Sequence, residues 1–289
     1  MLNKVIKKLY TKVCLLLIGL FLCSISAHAC TLYSAAGDRV ANNGTLIAKI
    51  RDQNPTEQFY YTTTPDNGYK YWGLYTSADG RGLRAGINEK GLVLVTATAG
   101  TIPKNQRLGS NTIPGGLTKH ILSSCSSVAE VTSNIKVWGS PQIIMIADKR
   151  EIAYVEIGLN NKYSITKKTN GTLSHTNHFI NDSMSDENYK TASESSLFRI
   201  ERIEELLSQK QTLTLQDFIE FSHDQVAGNN NSIWRVGNSE KPNSVQSLAA
   251  FIIYLSPDGN GEIFLKVREN PEDKGNETII RKKFNELFD

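Results

Sequence analysis

The sequence contains 289 residues, of which 39% are hydrophobic, and its formal net charge is +3. The first 29 residues hold four lysines and no acidic residue, so loss of that segment would change the net charge to −1. The basic balance therefore belongs to the N-terminal segment. The rest of the chain gives no reason to expect a nucleic-acid partner or binding to an anionic membrane surface.

The N-terminal segment has the features of a removable secretory signal. Its lysines precede an apolar run of 11 residues at 13–23, shorter than the roughly 20 residues that a membrane helix needs. Ala27 and Ala29 are the small residues of a signal-peptidase site. We predict a signal peptide over residues 1–29 and an exported protein, periplasmic or secreted, without stable membrane insertion.

Residues 30–289 contain no Pro/Ser-rich linker, low-complexity tract or internal repeat, which predicts one domain. Apolar segments bounded by turn-forming residues predict five strands before the first helical block. In chain order these strands are residues 30–36, 45–50, 69–77, 82–87 and 91–99. The first two are expected to form a hairpin, because the turn ANNG separates them.

The second half of the chain combines helices with strand hairpins. In chain order the predicted elements are a helical block at 115–135, a hairpin of 142–148 with 152–158, a strand at 172–179, helices at 195–209 and 214–224, and a hairpin of 247–255 with 261–269. A capping box at 191–194 is expected to start the longest helix. Its apolar face is expected to contain Leu197, Ile200, Ile203 and Leu207. Hairpins separated by helical blocks predict an α+β fold with antiparallel sheets covered by helices.

Cys30 directly follows the predicted cleavage site, and three roles are open for it. Lipidation would make the protein a non-enzymatic envelope lipoprotein, but Ala27 and His28 fit the lipidation pattern poorly. A structural role, with Cys30 free or in a disulfide with Cys125, is the second possibility. The third is a nucleophile that uses its own α-amine.

The third role has a specific chemical basis. A thiol, with a pKa of about 8.5, needs a base at neutral pH, and a free α-amine, with a pKa of about 7.7–8.0, is well suited to that work. A terminal cysteine carries both groups, as in terminal-nucleophile enzymes. Cleavage immediately before Cys30 would create the base, whereas one extra residue would convert the amine into an unreactive amide.

Several segments resemble the choloylglycine hydrolase and penicillin acylase group, in the order expected for it. These segments are the terminal CT, GTLIAKIRDQ, GINEKGL, SHTNHF, SSLFRIER and SIWR. HTNHF and SIWR are most similar to the branch that contains isopenicillin N acyltransferase. The resemblance covers nearly all of residues 30–289 and implies a four-layer αββα sandwich of antiparallel sheets, the N-terminal-nucleophile (Ntn) hydrolase fold.

The resemblance implies a role for four residues. Cys30 matches the nucleophile, and Asp52 matches the carboxylate that holds the terminal amine. Asn177 matches an amide that donates to the oxyanion, and Arg199 matches an arginine that orders the site. Without the resemblance, each of three residues has another interpretation. Asp52 could be an acidic residue of a turn, and Asn177 an ordinary residue at the end of a strand. Arg199 could be a surface residue paired with a glutamate of its own helix.

The chain departs from the bile-salt hydrolases near the predicted site. Lys49 and Ile50 occupy positions where those enzymes have arginine and asparagine, and Lys49 can supply the charge but not the planar fork. Thr98 is the nearest polar residue where they carry another asparagine. Lys49 and Thr98 are therefore candidate substrate-binding residues, and bile salts are not the expected substrate.

No metal or cofactor is expected. Alternation along a strand would place His175 and His178 on opposite faces, and no phosphate-binding or dinucleotide fingerprint occurs. The predicted function is an exported cysteine amidase that hydrolyses linear, non-peptide amides of small N-acyl compounds through an acyl thioester. An acyltransferase that passes the acyl group to an amine is the alternative, and related enzymes suggest a homo-oligomer.

Overall fold

The computed structural model describes residues 29–108, 113–133, 139–238, 240–241, 243–268 and 276–289. Residues 1–28 of the predicted signal peptide lie outside this range. The described strands are β1 (Cys30–Ala36), β2 (Thr45–Gln53), β3 (Phe59–Thr63), β4 (Tyr71–Tyr75), β5 (Ala85–Asn88), β6 (Val93–Ala97), β7 (Gln142–Ala147), β8 (Ile152–Ile157), β9 (Tyr163–Lys168), β10 (Gly171–His175), β11 (Gln246–Leu255), β12 (Gly261–Arg268) and β13 (Glu277–Lys283).

The strands form two antiparallel sheets. The first sheet has the order β10-β1-β2-β11-β12-β13, and the second has the order β3-β4-β5-β6-β7-β8-β9. The described α-helices are α1 (Lys104–Leu108), α2 (Leu117–Ser124), α3 (Val128–Ser133), α4 (Glu194–Ser208), α5 (Leu215–Phe221) and α6 (Gly228–Asn231). The predicted hairpin at residue 30 is confirmed, since Cys30 is paired with Arg51 and Ala36 with Thr45.

Three apolar layers hold the sheets and helices together. Leu32 and Phe251 of the first sheet and Met145 of the second belong to the core between the sheets. Helices α4 and α5 cover the outer face of the first sheet, and α2 and α3 cover the outer face of the second. Burial of each such Leu, Ile or Phe side chain contributes about 1.5–3 kcal/mol. The predicted four-layer αββα sandwich is confirmed.

Strand β2 shows how the sequence selects the two faces of the first sheet. Leu46, Ala48 and Ile50 pack toward the helices. The intervening residues face the other sheet, beginning with Ile47 in the core between the sheets and continuing with Lys49 and Arg51. This inward row therefore changes from apolar to cationic as it approaches the level of Cys30.

Helix α4 begins later than its predicted cap, and its buried face differs from the prediction. Ser193 is the N-cap, and its side chain accepts a hydrogen bond from the Ser196 nitrogen. The buried residues are Ser196, Arg199, Ile200, Ile203, Leu206 and Leu207. Leu197 is 42% exposed, so its predicted burial is wrong. Polar Ser196 and Arg199 take the buried positions of the first turns.

Three strands, β3, β9 and β13, were not predicted from the sequence. Each lies at the edge of a sheet and is only partly buried, so its apolar alternation is weak. The predicted strand 172–179 ends at His175, which leaves Asn177 in the following loop. In the described part of the chain, no helix has both the length and the apolar character needed to cross a membrane.

Candidate active site

Cys30 lies at the start of β1, buried in the layer between the sheets. Its backbone nitrogen donates a hydrogen bond to Asn177 Oδ1 at 2.8 Å. In the full-length chain this nitrogen is part of the peptide bond to Ala29. Cys125 lies at the end of α2, beside the helical layer of the other sheet, and both thiols are free. The structure therefore contains no Cys30–Cys125 disulfide.

Asn177 is held in place from several directions. Its Oδ1 also accepts a hydrogen bond from Arg199 Nη2 at 3.2 Å, and its Nδ2 donates to the carbonyl of Thr98 at 3.0 Å. Its backbone nitrogen donates to Ser196 Oγ, and its carbonyl accepts from Gly100. The side-chain oxygen thus orients the Cys30 nitrogen. Donation to an oxyanion, the role implied by the resemblance, would require the second hydrogen of Nδ2.

Arg199 connects α4 to the start of β1. Its Nη1 donates to the Cys30 carbonyl at 2.6 Å and to Thr31 Oγ1 at 2.9 Å, and the side chain is fully buried. Burial lowers the pKa of Arg199 to about 10, while the charge of Asp52 acts in the opposite direction. Arg199 remains a cation at neutral pH, and it is not on the surface.

Asp52 lies on the helix-facing side of β2. Its Oδ1 accepts a hydrogen bond from Ser247 Oγ at 2.6 Å, and its Oδ2 is 3.8 Å from Arg235 Nη1. Among the described residues, Oδ2 has no hydrogen-bond donor, and nothing joins Asp52 to the Cys30 nitrogen. Burial raises the pKa of Asp52, and the charges of Arg235 and Arg199 oppose that increase.

Lys49 lies on the inward face of β2, on the same side as Cys30. Its Nζ donates to the carbonyl of Thr96. Burial lowers the pKa of Lys49 to about 8, and the nearby Cys30 thiol partly offsets the decrease. The structure therefore places Lys49 at the sulfur. Thr98 is half-buried and contributes its carbonyl to Asn177.

Cys30, Lys49, Asp52 and Thr98 line one cavity of about 360 Å³. Asn177 and Arg199 approach Cys30 from the helix-covered side through the hydrogen bonds to its nitrogen and carbonyl. The structure therefore brings all six predicted residues into one region. Their specific chemical roles stay predictions.

A comparison of the sequence with known protein families identifies the family of this chain. Residues 40–260 match the model of the family described as acyl-coenzyme A:6-aminopenicillanic acid acyl-transferase. The chain belongs to this acyl-transferase family. It is therefore an enzyme of the Ntn-hydrolase superfamily, of the acylase or acyltransferase kind.

Comparisons of this chain with solved structures and with curated proteins give two further findings. The solved structure of penicillin V acylase from Agrobacterium tumefaciens is similar to this chain, with a TM-score of 0.44 and 12% sequence identity. The similarity covers 86% of this chain and 85% of that one. No curated protein matches the sequence.

Sequence reasoning missed four residues at the site of this acyl-transferase family member. Arg235 and Ser247 surround Asp52, and Arg51 and Arg84 line the cavity. Arg235 is the last residue of the SIWR segment, and the β2 alternation through Lys49 would have placed Arg51 inward. Ser247 and Arg84 carry no such signal, because only the folded chain brings them to the site.

The two histidines near Asn177 have structural partners. His175 is fully buried, with its Nε2 at 2.8 Å from Glu156 Oε1, and His178 Nδ1 is 2.9 Å from Ser196 Oγ. Burial lowers the pKa of His178 to about 4, so this ring is neutral at neutral pH. Within the described residues, no three His, Cys, Asp or Glu side chains cluster as metal ligands would.

Proposed function

We propose that this protein is an exported cysteine amidase that hydrolyses linear amide bonds of N-acyl compounds. Signal-peptide removal would convert the Cys30 nitrogen from an amide into a free amine. The observation that carries the proposal is the hydrogen bond from this nitrogen to Asn177 at the cavity that Cys30 lines. One residue then presents both a sulfur and an oriented nitrogen to a bound substrate.

The proposed reaction has two halves. The α-amine accepts the thiol proton, and the sulfur attacks the amide carbonyl to form a tetrahedral oxyanion. Collapse breaks the C–N bond, the departing amine takes the proton, and an acyl thioester remains on Cys30. Water, deprotonated by the α-amine, then attacks the thioester, which releases the carboxylic acid and restores the thiol.

The surrounding residues support this chemistry. Lys49 places a positive charge beside the sulfur, and Arg199 fixes the Cys30 carbonyl. The Asn177 amide oxygen already accepts a hydrogen bond from the Cys30 nitrogen, and the free oxygen of Asp52 would be a second acceptor if the freed terminus turns toward it. Leu83, Ile113 and Leu117 also line the cavity and provide apolar contact for an acyl chain.

The nucleophile is tested with variants of the mature protein that begins at residue 30. Cys30→Ala and Cys30→Ser should each lower amide turnover by about 1,000-fold or more while the thermal transition is retained. The alanine variant has no nucleophile, and the α-amine is too mild a base to activate a serine hydroxyl well. Cys125→Ser is the matched control and should keep full activity. Full activity in Cys30→Ala would place the nucleophile elsewhere.

The fate of the acyl group separates hydrolysis from transfer. With an N-acyl substrate and dilute hydroxylamine as a competing acceptor, we expect free carboxylic acid as the main product. Intact-protein mass spectrometry should show a transient acyl adduct on the wild type and none on Cys30→Ala. A predominance of acyl hydroxamate at dilute acceptor would make the protein an acyltransferase.

A further inference from the structure

The cavity at Cys30 is unusually rich in cations. Six basic residues line it: Lys49, Arg51, Arg84, Lys104, Arg107 and Lys119. Asp52 is the only acidic residue among the described lining residues, and its carboxylate lies on the helix side of β2 beside Arg235. The positive charge in the cavity is therefore not balanced by the cavity's own side chains.

Arg51 is the basic residue most closely tied to the nucleophile. It is paired directly with Cys30 across β1 and β2, and directly paired residues in a sheet lie about 5 Å apart. Its side chain points to the same face as Cys30, is only 5% exposed, and contacts Gln58 through Nε. Arg51 therefore lies beside the nucleophile and lines the same cavity.

Arg84 and Lys49 crowd the same region. Burial is the main cause that lowers the pKa of Arg51 to about 10, the Cys30 sulfur opposes this decrease, and the charge of Arg84 adds to it. Among the described residues, none of Lys49, Arg51 and Arg84 forms an ion pair within 4 Å. Lys49 and Arg51 are buried, whereas Arg84 is exposed where it lines the cavity. Burying two like charges without a carboxylate is costly, so this arrangement indicates a site that an anion completes.

We propose that the substrate is the N-acyl derivative of an amino acid, and that Arg51 and Arg84 bind the carboxylate next to its scissile nitrogen. This inference rests on the proposed function and adds the substrate class. A planar guanidinium fork suits a carboxylate, and two forks beside Cys30 would orient the amide for attack. The acyl chain would then extend toward Leu83, Ile113 and Leu117.

The test compares two compounds that differ by one charge, N-octanoyl-L-alanine and N-octanoyl-L-alaninamide. The mature wild type should show a kcat/KM about 10- to 100-fold higher for the acid, the range expected for a charge-assisted contact. In Arg51→Met and in Arg84→Met this ratio should fall toward one. Arg81→Met is the control, since Arg81 is exposed and paired with Asp79, and it should keep the wild-type ratio.

A binding measurement separates this inference from the proposed function. Calorimetry with Cys30→Ala should show Kd about 10-fold or more lower for the acid than for the amide, with the difference lost on adding Arg84→Met. Acid-selective binding without turnover in the wild type would support the substrate class and reject the amidase. Equal binding, or equal turnover of both compounds by the wild type, would overturn the substrate class and leave the amidase standing.

Discussion

Asn177 links Cys30, Arg199 and Thr98 through the hydrogen bonds of its side-chain amide. Its amide oxygen accepts hydrogen bonds from the Cys30 nitrogen and from Arg199, and its amide nitrogen donates to Thr98. A neutral amide supplies both functions without adding charge beside the Arg199 guanidinium. The oxygen, rather than the nitrogen, faces Cys30, and this orientation sets what its substitution should do.

Substitution of Asn177 distinguishes a positioning role from donation to the oxyanion. Asn177→Asp keeps an acceptor for the Cys30 nitrogen, whereas Asn177→Leu removes it. If Asn177 positions the nitrogen, the Leu variant should lose about 100-fold or more in kcat and the Asp variant clearly less. Steady-state kinetics on one N-acyl substrate would check this order. Equal losses in both variants would assign the main role to the Nδ2 donor.

Lys49 should lower the stability of the fold because it is a cation buried at the site. Its pKa in the folded protein is about 8, below the value near 10.5 of the unfolded chain. Below pH 8 folding must therefore bury a charge, at a cost of up to about 3 kcal/mol. As pH rises from 8 to 10.5 the folded protein releases this proton first, so the wild type gains stability over that window.

Lys49→Met is therefore expected to raise the melting temperature at pH 7 by several degrees and to abolish most activity. The stability advantage of the variant should shrink as the pH rises toward 10. Thermal unfolding at a series of pH values measures both effects. Lys90→Met, a substitution of an exposed lysine that lines a different cavity from Cys30, is a control that should show no such trend. A lower melting temperature for Lys49→Met at pH 7 would contradict this reasoning.

At the scale of elements, α4 serves two purposes along its length. Its first turns present Ser196 and Arg199 to the site, and its later turns present Ile203, Leu206 and Leu207 to the first sheet. The apolar periodicity could predict the later turns because burial there is hydrophobic. It failed at Leu197, since the buried positions of the first turns are polar and serve the site.

Truncation of two α4 side chains checks this division. Ile203 is fully buried, so Ile203→Ala should lower the free energy of unfolding by about 2–4 kcal/mol. Leu197 is 42% exposed, so Leu197→Ala should change it by about 0.5 kcal/mol or less. Urea unfolding of both variants measures the difference. Similar losses would mean that Leu197 is also part of the core.

The central strands were predictable, whereas three of the four edge strands, β3, β9 and β13, were not, for a physical reason. Strands β1, β2, β7, β8, β11 and β12 are buried and rich in apolar residues, so their sequences are distinctive. Strands β3, β9 and β13 are each open on one side and carry mixed polar residues. Their pairing depends on a neighbouring strand rather than on their own pattern.

At the scale of the whole molecule, the site is assembled from distant parts of the chain. The hydrogen bond between Cys30 and Asn177 joins residues that are 147 positions apart in the sequence, and the one between Asp52 and Ser247 joins residues 195 positions apart. Chemical reasoning about Cys30 and the family resemblance could identify Asp52, Asn177 and Arg199. The contacts of Arg235 and Ser247 with Asp52, and the orientation of the Asn177 amide, depend on the packing of sheets and helix.

The cleavage that would free the Cys30 nitrogen links export to activity in this account. A chain that retains Ala29 keeps the sulfur, the cavity and every charged residue, and differs only in having an amide where the base should be. Comparison of this chain with one that begins at Cys30 therefore isolates the contribution of the nitrogen. The N-terminus of each preparation should be verified by mass spectrometry before kinetics.

The most direct measurement is amide hydrolysis by these two chains at equal concentration. We expect the form beginning at Cys30 to be active and the form retaining Ala29 to have less than about 1% of its kcat/KM, because an amide nitrogen cannot accept the thiol proton. Equal rates of hydrolysis by the two forms would contradict this expectation.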